Sequence, residues 1–181
     1  MAAYTTIDNP ELYFQSVLWT GTGSSNAITL GGSEDMSPNL VWGKSRSNAT
    51  SPAIHDSVRG ATQELYTSST AAEGDYNETL KSFDSDGFTV GTDNGWNGSS
   101  RTFVAWCWKE SATAGFDIVT YNGNETARTI SHSLSAVPHF IMVKNRDSAR
   151  SWTVGSKGMP SWSYHLYLDT SDDQNSDDNM F

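Results

Sequence analysis

Pro38-Asn39-Leu40-Val41-Trp42-Gly43-Lys44-Ser45-Arg46 recurs later in the chain as Pro138-His139-Phe140-Ile141-Met142-Val143-Lys144-Asn145-Arg146. Each copy opens on a proline, runs through a short apolar segment and closes on a Lys-x-Arg triplet. That is how a buried strand bounded by turn residues reads. The preceding segments also match: Trp19-Thr20-Gly21 with Tyr121-Asn122-Gly123, and Ala27-Ile28-Thr29 with Thr129-Ile130-Ser131. Only the intervening loop shifts the register, where insertions are tolerated. Self-similarity on this scale predicts two tandem modules. We place an N-terminal arm at 1–16, a first module at 17–110 and a second at 111–181. Lys109–Gly115 reads as the linker between the modules.

Outside the repeat, apolar residues again come in short runs bounded by Gly, Asn, Asp, Ser and Pro, which predicts strands joined by turns. In the first module these are Gln15–Thr20, Asn26–Leu30, Asn39–Arg46, Pro52–Val58, Leu80–Phe83, Gly87–Val90 and Thr102–Lys109. The second series is Phe116–Tyr121, Thr126–Ile130, His139–Lys144, Ser151–Val154 and Tyr164–Leu168. Two helical turns are expected, one capped by Asn9 ahead of Pro10 and Glu11, the other at Ala61–Tyr66. The fold class is therefore all-β, a pair of antiparallel β-sandwich modules. Phe103-Val104-Ala105-Trp106-Cys107-Trp108 is apolar on both faces of its alternation, so that strand is central or part of an interface. The second module has no counterpart of Phe83–Val90 or of Thr102–Lys109. It is expected to be incomplete, its closing strands lying in a longer polypeptide or in another subunit.

Composition narrows the function classes. The chain has 181 residues, 36% hydrophobic, 12% aromatic and 18% charged, long enough for a real core. Twenty-one acids against eleven basic residues give a net charge of −10, which repels phosphate backbones and disfavours nucleic acid. No apolar run is long enough for a membrane span, and Met1–Thr6 lacks the pattern of a signal peptide. A single cysteine, Cys107, allows neither an internal disulfide nor a cysteine-based zinc site, and fits synthesis in a reducing cytoplasm.

Local chemistry is sparse. Asp84-Ser85-Asp86-Gly87 opens like a calcium loop, but Phe88 and the missing later glutamate make it read as a tight acidic turn. The Asp172–Asp178 acids read as a solvated loop, and His55, His132, His139 and His165 have no ligand spacing, so no metal or cofactor is expected. His55-Asp56-Ser57 holds the residue types of a hydrolase triad, yet adjacent strand residues face opposite ways and cannot converge. With no nucleophile elbow or phosphate loop either, no catalytic residue is assigned. Trp19, Trp42 and Trp106 read as packing. Trp96, in the loop Asp93-Asn94-Gly95-Trp96-Asn97-Gly98, and Trp162, in Pro160–Tyr164, are harder to bury. Trp96 and Trp162, with Asn94 and Asn97, are the candidate sugar-binding residues, an indole stacking a ring while amides read its hydroxyls. Lys44, Arg46, Lys144 and Arg146 are expected to pair with acids of their own or a neighbouring module.

Val41–Arg46, His55-Asp56-Ser57-Val58-Arg59-Gly60, Ser82–Gly91 and Phe103–Lys109, followed by Gly123, Ile130–Leu134, Pro138 and Val143–Arg146, occur in an order that resembles a known family. It is that of the lectin-like sandwich modules found in tandem in structural and tail-fibre proteins of marine tailed phages. Gly43 departs from it, standing where a branched apolar residue is usual, as does Ser45, where Asn is usual. The resemblance implies lectin-like jelly-roll modules and a virion protein made in the host cytoplasm. It implies a tail fibre or appendage that attaches through Met1–Ser16, assembles as a homotrimer with other virion proteins and meets a host-surface glycan. A capsid decoration protein is the alternative, and a glycan-degrading enzyme a third.

Overall fold

The computed structural model describes residues 7–178. It is nearly all β, with 36% of residues in strands, 4% in helix, and every sheet antiparallel. Among the described residues nine strands precede residue 110: β1 (Phe14–Thr20), β2 (Asn26–Thr29), β3 (Leu40–Ser45), β4 (Ala53–Asp56), β5 (Gly60–Tyr66), β6 (Gly74–Asp75), β7 (Leu80–Asp84), β8 (Gly87–Val90) and β9 (Thr102–Trp108). A four-residue helix, α1 (Asn94–Asn97), sits between the last two. Four more strands follow: β10 (Phe140–Val143), β11 (Thr153–Ser156), β12 (Tyr164–Tyr167) and β13 (Asn175–Ser176).

A six-stranded sheet runs β1-β9-β3-β4-β5-β6 and a three-stranded one β2-β8-β7. Ile28, Phe88 and Val90 of the small sheet share one buried cluster with Val41, Ala53, Ala105 and Cys107 of the large one. The strand β9 is central, paired to β1 and to β3. Its Phe103, Ala105 and Cys107 are buried on the core side, and burial pushes the Cys107 thiol up to about 12. Its other face is covered at Trp108, against Phe116 and Trp42, and is left open at Trp106, 37% exposed.

The remaining four strands form a sheet in the order β10-β11-β12-β13, and its register repeats that of β3-β4-β5-β6. Leu40↔Asp56 and Gly43↔Ala53 become Phe140↔Ser156 and Val143↔Thr153. Ala53↔Tyr66 becomes Thr153↔Tyr167, and Glu64↔Gly74 becomes His165↔Asn175. The two blocks meet through Leu40, Ile54 and Leu65 on one side and Trp152 and Met142 on the other. Trp152 donates its indole N–H to the Tyr66 carbonyl at 2.8 Å.

A charge clamp closes the same seam. Glu73 accepts from Arg59 at 2.6 Å and from Arg146 at 2.6 Å, while Arg59 also pairs with Asp56. Burial alone would raise the Glu73 carboxyl, but hydrogen bonds from the two arginines hold it below the ordinary carboxylate value. The Arg59 side chain is 4% exposed and that of Arg146 42% exposed. Glu73→Ala is therefore expected to cost about 2 kcal/mol in urea unfolding, since it strips one partner from a buried guanidinium. Arg146→Ala, solvated on its own side, is expected to cost under about 1 kcal/mol. Equal losses in the two variants would contradict this reading.

Several expectations need correction. Ala61–Tyr66 is not a helical turn but part of β5. Its helix-forming residues are overridden by alternation, with Leu65 under Trp152 and Glu64 and Tyr66 on the opposite face. Phe116–Tyr121 and Thr126–Ile130 form no strands; an isolated bridge, Ser111↔Phe116, stands there, and Phe116 and Ile118 pack as side chains against the six-stranded sheet. The arm expected at Met1–Ser16 overlaps the sheet. Residues 1–6 lie outside the described ones, Pro10–Leu12 is a 3-10 turn capped by Asn9, and Phe14–Ser16 begin β1. Gln15 is buried there, donating to the Glu11 and Glu34 carbonyls and accepting from Gly32.

Candidate functional site

A cleft of about 290 Å³ opens beside β5. Glu64 and Tyr66, two apart on that strand, point to the same face. Thr50 and Ser51 enter from the segment leading into β4, Asp93 from the N-cap of α1 and Trp96 from α1 itself. The helix is short, so its position depends on its cap: Asp93 Oδ1 accepts the Gly95 N–H at 2.7 Å. Asn97 then pins it to the chain around it. Its side-chain amide donates to the Ser24 and Gly91 carbonyls, and its oxygen accepts the Thr22 N–H at 3.0 Å.

Glu64, 2% exposed, is the centre of the cleft floor. Its Oε2 accepts from the Trp96 indole at 2.6 Å and meets His55 Nε2 at 3.0 Å. Burial would raise this carboxyl, but the His55 hydrogen bond and charge, with bonds from Tyr66 and Trp96, hold it below the ordinary value. The Tyr66 phenol moves the other way, well above its ordinary value, through burial first and then through the bond to Glu64 and that carboxylate's charge. The Trp96 ring packs edge-on to His55, with centroids 4.8 Å apart, and occupies the space beside Gly43.

This arrangement offers one ionised carboxylate, a second acid at the rim, a phenol and two hydroxyls, with no Lys or Arg among the lining residues. It suits a ligand that donates hydrogen bonds. Glu64 itself, held ionised by three donors, has no proton to give at neutral pH.

The sequence-derived site residues are distributed unevenly. Trp96 lines the cleft but is 5% exposed and spends its N–H on Glu64, so it is no open stacking platform. Asn97 is fully buried as the pin described above. Asn94 is exposed at the start of α1, where its carbonyl accepts from Arg101. Trp162 is half-buried in the turn between β11 and β12 and does not line the cleft. The residues of His55-Asp56-Ser57 diverge as expected, to Glu64, Arg59 and Asn39 respectively. Asp84 accepts from Ser82 and Thr89, and Asp86 from the Met36 N–H, as in a tight turn. Lys44 and Lys144 pair with no acid among the described residues: Lys44 donates to the Ser45 and Asn48 carbonyls, and Lys144 to those of Asn145 and Thr70. Glu64 and Tyr66 escape sequence reasoning because the strand alternation of β5, the signal that would find them, is masked by its helix-forming composition, whereas Thr50 and Ser51 lie in the segment ahead of β4 and carry no local signal.

Fold and cleft together define an antiparallel all-β protein with an acid- and hydroxyl-lined cleft beside β5. Residues 9–181 match the sequence model of a family described as a domain of unknown function, DUF7483, and the chain belongs to that family. No curated protein and no solved structure matches it.

Proposed function

We propose that this chain is a structural and adhesive component of a phage particle, a tail-fibre or appendage protein built from two tandem lectin-like β-sandwich modules, the second incomplete and represented by the single sheet β10–β13. The observation that carries the reading is the repeated four-strand block, β3–β6 and β10–β13 in one register, locked by the Trp152 and Glu73 contacts. Rigid duplication of a β-unit suits a scaffold that presents loops and clefts to a surface. The resemblance of Val41–Arg46, Ser82–Gly91 and Phe103–Lys109 to the phage modules supplies the particle. The acceptor-lined cleft, with Glu64 on its floor, supports host-glycan binding. Leu18, 62% exposed, and Phe14, 40% exposed, stand with Trp106 on one open face of β1 and β9 and would serve a homotrimer contact.

Cryo-electron microscopy of purified particles tests this. Density for the chain at the tail in multiples of three is the expected result. Density over the shell lattice would replace the fibre with a decoration protein, and a particle without the chain would overturn the virion reading.

A further inference from the structure

The register that repeats the strands also repeats the cleft. Thr50 and Ser51 lead into β4, and Arg150 and Ser151 stand at the same distance ahead of β11. Tyr66 lies opposite Ala53, and Tyr167 opposite Thr153. Ser51 and Tyr66 line the first cleft; Ser151 and Tyr167 line a second, of about 370 Å³, to which Thr70 of the first block contributes. The duplication thus yields two clefts of the same construction.

Their charge is opposite. The first contains Glu64 and Asp93. At the register position of Glu64 the second block has His165, which is buried and does not line the cleft, and the residues that line the second cleft include no acid. Arg150 takes the place of Thr50 and is exposed. Arg59 and Arg146 are committed to Glu73, whereas the Arg150 guanidinium has no ion-pair partner among the described residues. Lys144 adds a second cation behind the rim, its ammonium on the Thr70 carbonyl. The Asp169 carboxylate, which acts on Lys144 electrostatically, accepts the Trp152 N–H. An arginine without an ion pair beside a phenol and the hydroxyl side chains of Thr70, Ser151 and Thr153, in a protein of net charge −10, suits an anion.

We infer that the second cleft binds the anionic group of an acidic glycan, a uronic-acid carboxylate or a sulfate ester, with Arg150 as its ion-pair partner. This rests on the glycan-binding reading above. It assigns the two copies of the cleft to different sugars, hydroxyl-rich in the first and charged in the second, so that one chain engages a mixed polysaccharide at two points.

The test is calorimetric titration of the full chain with three probes: oligogalacturonate, a sulfated carrageenan oligosaccharide and a neutral cello-oligosaccharide. Wild type and Arg150→Thr are compared, the latter placing the first cleft's own residue at the second. We expect at least one anionic probe to bind in a salt-sensitive manner and to lose tenfold or more in affinity in the variant. Which anionic probe binds identifies carboxylate or sulfate. The neutral probe should be unaffected, and because Arg150 is exposed the thermal midpoint should not move. Anionic binding within twofold of wild type in Arg150→Thr would overturn the inference, as would neutral binding without anionic binding; both leave the glycan reading standing. Binding of none of the three would remove both.

Discussion

Gly43→Ala is expected to destabilise the protein by about 3 kcal/mol, a large effect for one methyl group on a strand. A Cβ at this position would lie 2.3 Å from Cζ3 and 2.4 Å from Cη2 of Trp96, far inside van der Waals contact. The ring has nowhere to go. Its N–H is held by Glu64 at 2.6 Å, its edge meets His55, and its helix is pinned by Asn97 and capped by Asp93. Relief requires either breaking the indole–carboxylate bond or shifting β3 against β9. Urea unfolding measures the cost, and Gly43→Ala combined with Trp96→Phe isolates its cause. The smaller ring should recover about 1 kcal/mol or more relative to the sum of the single changes. A Gly43→Ala variant within about 0.5 kcal/mol of wild type would show that the indole is not wedged against this strand.

The same glycine illustrates what a sequence displays and what it hides. Gly43 reads as a weakness in an otherwise apolar strand, an oddity without a partner. The partner is Trp96, distant in sequence, and no local pattern joins the two. The repeated strand at Phe140–Val143 has Val143 at the matching position, opposite Thr153 as Gly43 is opposite Ala53. The strands themselves were legible wherever alternation and turn residues agreed, as at Gly87–Val90 and Thr102–Trp108. They were misread where composition opposed them. Gly60–Tyr66 carries Ala, Gln, Glu and Leu and still forms a strand, because only a strand places Leu65 under Trp152 and Glu64 beneath Trp96 at once. Phe116 and Ile118 failed in the opposite sense. Their apolar character is used in covering the outer face of the first sheet, and that needs no ladder.

The repeat was legible as nine residues, but its consequence was not. The match of Pro38–Arg46 to Pro138–Arg146 says that two strands correspond. That Thr50 and Arg150 hold equivalent places follows from the offset of the repeated strand itself, but the equivalence of Tyr66 and Tyr167 follows only from the pairing of β4 with β5 and of β11 with β12. A single extra residue between the paired strands of the second copy puts the two tyrosines out of step for any fixed-offset alignment. Packing tolerates that slip in a turn and conserves the register across the sheet.

Glu64→Ala is expected to cost about 4 kcal/mol, the larger of the two effects argued here. The carboxylate is the common acceptor for Trp96 Nε1 and His55 Nε2 and is bonded to the Tyr66 phenol as well. His55 is fully buried and its Nδ1 is already unpartnered, so removal of Glu64 would leave the ring without any hydrogen bond. Glu64→Gln separates charge from shape. It keeps an oxygen for one donor and turns an amide N–H toward the others, for an expected cost of about 2 kcal/mol at neutral pH. The pH dependence has a fixed sign. The folded state holds the Glu64 carboxyl below its ordinary value, so its contribution is fully present above that value and is lost as pH falls through it toward the folded one. The stability gap between wild type and Glu64→Gln should therefore narrow on acidification from neutrality to about pH 3, read from urea midpoints at each pH. A gap that stays constant over that range would mean that the donors recognise the shape of the side chain and not its charge. The ionised floor on which the proposed binding of hydroxyl donors in the first cleft depends would then be absent.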